Sequence, residues 1–100
     1  MVKHIILWKL KDAFSAEKKA EIRENAKANL EGLVGQIEGL TKLSVHIDGL
    51  ASSNADMMLD SEFVSEEALK GYAKHPKHVA VAENFVRPFT EVRLCLDFQA

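Results

Sequence analysis

Residues 2–10 constrain the fold more than any other stretch of the chain. With the period of two of a β-strand, Val2, His4, Ile6, Trp8 and Leu10 share one face, while Lys3, Ile5, Leu7 and Lys9 share the other. Both faces are apolar at the middle. An exposed sheet face would alternate cleanly to polar, so this strand is expected to lie centrally, with helices covering one side and a second cover on the other. A partner subunit is one candidate for that cover. At 100 residues the chain predicts a single domain spanning 1–100, near the lower end of the size at which one core stabilises itself, and dimerisation would help it.

The remaining elements follow from periodicity. Ser15 is a good N-cap, and Ile22, Ala26, Leu30, Leu33, Val34 and Ile37 recur at steps of three and four, predicting an amphipathic helix of about five turns. Its other face, with Lys18, Lys19, Glu21, Glu24, Lys27 and Glu31, reads as a solvated surface. Gly39 closes that region. Leu43, Val45 and Ile47 then alternate with Ser44, His46 and Asp48 as a half-buried strand, with His46 facing outward. A polar loop from Gly49 to Asn54 leads to a third strand, Met57 to Phe63, expected to pair with the second. Asp60 and Glu62 on that strand read as a solvated edge rather than as catalytic carboxylates. Ser65-Glu66-Glu67 caps a short second helix that stops at His75-Pro76, because a residue before proline is pushed out of the α region. Val79, Ala82 and Phe85 predict another brief helix. Val92, Leu94, Leu96 and Phe98 form the apolar face of a last strand.

The order β-α-β-β-α-β predicts an α+β, ferredoxin-like fold: one antiparallel sheet with helices on one face. The other sheet face would offer Ile5 and Leu7, which argues for burial in a face-to-face homodimer closing a small barrel.

Charge and cysteine content exclude several functions. A formal net charge of −2, with Lys and Arg scattered rather than striped, leaves no footprint for nucleic acid. Cys95 is the only cysteine, which rules out an intrachain disulfide and fits a reducing compartment; its apolar surroundings predict a core position. The apolar start of the chain is too short to span a bilayer and lacks a small-residue cleavage site, so no membrane association and a cytoplasmic location are expected.

The chemistry concentrates in Tyr72-Ala73-Lys74-His75-Pro76-Lys77-His78-Val79, where a phenol and two imidazoles surround one helix-breaking proline. A histidine near its ordinary pKa of about 6.5 works as acid or base at neutral pH, and a phenol shares a proton through a hydrogen bond. A proton-handling site and a plain helix break with capping histidines are both compatible with these residues. The spacing His75-x-x-His78 lacks a third ligand and regular helical geometry, so no metal and no other cofactor is expected.

Val2-Lys3-His4 at the start, Phe63 before Ser65-Glu66-Glu67-Ala68-Leu69, Tyr72-x-x-His75-Pro76-x-His78, and the closing Leu94-Cys95-Leu96-Asp97-Phe98 occur in one order over nearly the whole chain. In these motifs the chain resembles the stress-responsive A/B barrel (Dabb) family of dimeric α+β barrels. Most members have no established reaction, and one plant branch performs polyketide cyclisation by intramolecular aldol condensation. The resemblance implies a pocket in which His78 is the general base, Tyr72 orients or stabilises an enolate, and His4 hydrogen-bonds a substrate oxygen. Ile6, Trp8, Ile22 and His75 are the expected substrate contacts. The chain departs from the cyclase pattern at Ile22 and Arg23, where that pattern implies a bulky aromatic pair. Three functional readings follow: a small-molecule-binding protein with cyclase-like acid-base chemistry, a stress-associated structural or interaction protein, and, by analogy of fold, a ferredoxin-like monooxygenase.

Overall fold

The computed structural model describes residues 1–100. The chain runs β1 (Val2–Leu10), α1 (Ala16–Glu31), β2 (Leu40–His46), β3 (Met57–Phe63), α2 (Glu66–Lys74), α3 (Pro76–Phe85), a 3-10 turn (Arg87–Phe89) and β4 (Thr90–Gln99). The strands form one antiparallel sheet in the order β2-β3-β1-β4, with the helices on one side, so the fold is ferredoxin-like α+β. β1 is central, as its two apolar faces require. None of the helices is long and apolar enough to cross a membrane.

The core lies between the helices and the inner face of β2, β3 and β1. Ile6, Trp8 and Leu10 of β1, Val45 of β2, and Leu59 and Phe63 of β3 meet Ile22, Ala26 and Leu30 of α1, all of them buried. Full burial of an aliphatic or aromatic side chain stabilises by about 1.5–3 kcal/mol, and this layer supplies most of what holds the sheet to its helices. Edge strand β2 is also fastened to α1 by polar bonds. The Glu31 carboxylate accepts from the Val45 N–H at 2.9 Å and from Lys27 Nζ at 2.8 Å, while Lys27 Nζ donates to the Val45 carbonyl at 2.8 Å.

Three expectations change. Helix α1 ends at Glu31 rather than running on to Ile37; Leu33 and Ile37 stay buried in the turns after it, and Val34 is exposed. The chain then reverses through Gly39, whose φ of +86° and whose place against Ala68, 2.5 Å from where a Cβ would sit, leave room for no side chain. β3 is not an edge strand: it lies between β2 and β1, and Asp60 accepts from Lys3 Nζ at 2.5 Å on the outer face. Cys95 is exposed, not core, because β4 is the edge strand beyond the reach of the helices.

Candidate functional site

The break between α2 and α3 builds the site. His75 takes an extended conformation (φ −63°, ψ 131°), as a residue before proline must, and it ends one helix while opening the next. Its Nδ1 accepts from the Lys77 N–H at 3.1 Å, which caps α3. The bend brings His78, in the first turn of α3, back over Tyr72, in the last turn of α2. Their ring centroids are 4.1 Å apart with planes inclined by 33°. His78 Nδ1–H donates to the Ala73 carbonyl at 3.4 Å, a tautomer that leaves the basic lone pair on Nε2. Burial pushes the His78 pKa down; the Ala73 carbonyl opposes this, and the charges of Arg87, His4 and Arg93 add to it. At neutral pH the ring is therefore uncharged and able to accept a proton.

Tyr72 is only 2% exposed, and its ring packs edge-on against Phe63 at 4.9 Å and His4 at 6.2 Å. Its hydroxyl is buried without any hydrogen-bond partner. Burial also pushes its pKa well above the ordinary phenol value, against a small opposing pull from Arg93, so the hydroxyl stays protonated and remains a donor. An unpaired buried hydroxyl costs about 1–3 kcal/mol, so the orphan marks a place where an incoming acceptor gains more than a surface hydrogen bond would give.

On β1, His4 is buried and its Nδ1 hydrogen-bonds the Asp97 carboxylate directly opposite on β4. Nδ1–H donates to the Asp97 carboxylate, which fixes the orientation of the ring. Cys95 Sγ lies 3.4 Å from Asp97 Oδ1 and 3.7 Å from His4 Nδ1. Its thiol pKa is raised, first by burial and then by Asp97, which disfavours a free thiolate.

His4, Ile6, Trp8, Tyr72 and His78 line one cavity of about 110 Å³ between the sheet and α2 and α3. A wider cleft of about 570 Å³, between β4 and α2, shares His4, Leu69, Ala73 and Arg93 with it. Ile22 does not reach this space: it is a core residue of α1. Nor does His75, whose ring is turned to capping α3. Asp97, Cys95 and Arg93 are residues of the site that sequence reasoning missed. The signal was present, since Arg93, Cys95 and Asp97 alternate with the apolar positions of β4, but only the β1–β4 register shows that they share a face with His4.

Comparison with known proteins bears on this geometry. Among curated proteins, none matches the chain. Among solved structures, a dimeric protein of unknown function and ferredoxin-like fold from Bacteroides fragilis is 32% identical, with 99% of this chain and 95% of that one covered and a TM-score of 0.93. An Arabidopsis thaliana protein is 28% identical, with 100% and 95% covered and a TM-score of 0.75. A hydroxynitrile lyase from Passiflora edulis is 18% identical, with 97% and 90% covered and a TM-score of 0.70, a likeness of fold. The family described as the Stress Responsive A/B Barrel Domain matches residues 2–100, and the chain belongs to that family.

Proposed function

We propose that the protein is a homodimer that binds a small carbonyl compound in the cavity lined by His4, Tyr72 and His78 and performs acid-base chemistry on it without a cofactor. The observation that carries the reading is the Tyr72 hydroxyl, buried, protonated and unpartnered beside an uncharged imidazole. A substrate carbonyl oxygen accepts from that hydroxyl. His78 Nε2 removes a proton from the adjacent carbon, and the C–H electron pair moves onto the oxygen as the enolate that Tyr72 stabilises. In an aldol step the enolate carbon then attacks a second carbonyl carbon, and the new alkoxide takes a proton from the imidazolium. His4, held by Asp97, hydrogen-bonds a substrate oxygen through Nε2.

The dimer in this reading forms through the outer sheet face, where Leu7, Val92, Leu94, Leu96 and Phe98 are exposed. The Bacteroides fragilis relative is described as dimeric, which supports it. Two such faces stacked would close a small barrel.

The test is α-proton exchange of pentan-2-one in heavy water, followed by proton NMR. The wild type should accelerate exchange over buffer, and His78→Ala should lower that rate by about 10²-fold or more with the fold intact by circular dichroism. Rates unchanged by His78→Ala and by Tyr72→Phe would overturn the catalytic reading. The apolar outer face favours a second reading, in which the assembly itself is the function. Under it, Leu7→Glu abolishes the cellular phenotype and the histidine variants leave it intact.

A further inference from the structure

The charged side chains that line the inner cavity are both arginines, Arg87 and Arg93, with no carboxylate among the lining residues. Arg87 Nη1 is engaged by Glu83 at 3.4 Å. Arg93 forms no ion pair anywhere in the chain, although acidic residues outnumber Lys and Arg by 15 to 13. It stands opposite Trp8 in the β1–β4 register, hence on the helix side of the sheet, and it lines both the inner cavity and the outer cleft. Its charge acts on Tyr72, His78 and Cys95. The nearby carboxylate of Asp97 is already taken by His4.

A guanidinium left without a carboxylate where two cavities join is a ready partner for an anion, because its planar fork of donors matches a carboxylate with two parallel hydrogen bonds. The inner cavity, at about 110 Å³, is smaller than the ~150 Å³ space known to hold benzene, so it admits only the reacting end of a ligand. The remainder must extend past Arg93 into the cleft. We propose that the ligand is a short oxo acid, its carbonyl against Tyr72 and His78 and its carboxylate on Arg93 at the junction. This rests on the small-carbonyl reading of the cavity and assigns its substrate class.

The experiment compares two probes of similar length, 4-oxopentanoate and neutral pentan-2-one, by NMR titration of the wild type, Arg93→Gln, Arg93→Lys and Tyr72→Phe. Arg93 is exposed in the protomer, so its substitution should leave the fold unchanged by circular dichroism. The wild type should bind 4-oxopentanoate about tenfold or more tightly than pentan-2-one, as a charge-assisted bond predicts. Arg93→Gln should erase that preference, Arg93→Lys should restore part of it, and Tyr72→Phe should weaken both probes. Equal wild-type affinities, or an Arg93→Gln loss shared by both probes, would overturn the oxo-acid assignment while leaving the carbonyl pocket standing. If neither probe perturbs the Tyr72 and His78 resonances, the pocket reading falls and the assignment with it.

Discussion

β3 and β4 flank the same central strand and alternate with the same period, yet their polarity is inverted. On β3 the helix-side residues Met57, Leu59, Ser61 and Phe63 are buried, and the outer residues Met58, Asp60 and Glu62 are mostly polar and partly exposed. On β4 the helix-side residues opposite Trp8, Ile6 and His4 are Arg93, Cys95 and Asp97, while the outer residues are Val92, Leu94, Leu96 and Phe98, all exposed. β3 obeys the ordinary rule that the apolar face goes to the core. β4 shows that the rule concerns what covers a face rather than which side it is on: the helices stop short of this edge strand, so its inner side borders an open cleft. Its outer side, too apolar for water along four alternate positions, calls for a cover from outside the protomer.

The largest expected effect follows from that outer face. Leu94→Glu combined with Leu96→Glu should convert a dimer to a monomer at micromolar concentration in sedimentation equilibrium, because symmetry places each buried charge in the interface twice. Glu62→Gln on the outer side of β3 should leave the assembly as it was. A double variant that stays dimeric would show that the apolar side of β4 is not the contact.

The inner faces should differ nearly as much. Leu59→Ala, deep in the β3 layer, should cost about 2–5 kcal/mol in urea denaturation, whereas Cys95→Ala on the inner side of β4 should stay within about 0.5 kcal/mol. Equal losses would mean that the inner side of β4 is packed in solution.

The same contrast explains what the sequence could disclose. β1 and β3 were legible because their burial follows their alternation, and the helix break was legible because Pro76 dictates the conformation of His75 on its own. Tyr72 and His78 sit on either side of that local break, so their pairing needs little long-range information. His4 with Asp97 is different. It depends on a register between the first and last strands, which no local pattern specifies, and on β4 turning its polar side inward. Cys95 misled for that reason, its neighbours Leu94 and Leu96 being apolar but on the opposite face. The end of α1 was hidden in another way: Leu33 and Ile37 remain buried after the helix stops, so the apolar period outlives the hydrogen-bond ladder.

Smaller effects distinguish the cavity from the core beside it. Tyr72 and Phe63 pack together, but only Tyr72 carries an orphaned polar atom. Tyr72→Phe should therefore raise stability by about 1 kcal/mol, measured by urea denaturation, while weakening ligand binding. Such opposed effects are expected where a site holds a group unsatisfied for its ligand. A loss of stability in Tyr72→Phe would mean that the hydroxyl has a structural partner.

The subtlest prediction concerns pH. His78 has a folded-state pKa pushed below its ordinary 6.5, mainly by burial, with Arg87, His4 and Arg93 contributing. Above the ordinary value both folded and unfolded chains hold this ring neutral, and the folded state suffers no penalty. As pH falls below about 6.5 the unfolded chain binds a proton that the folded chain still refuses, so stability declines with acidification until the folded pKa is passed. The slope from one such group cannot exceed about 1.4 kcal/mol per pH unit, and solvent at the half-buried ring keeps it well below that. His78→Gln should flatten this part of the stability profile between pH 6.5 and the acid limb. The proton-exchange rate should show the matching signature, persisting into mildly acidic solution where an ordinary imidazole would already be protonated. A rate that halves at the ordinary imidazole pKa would place the working base outside the Tyr72 cavity.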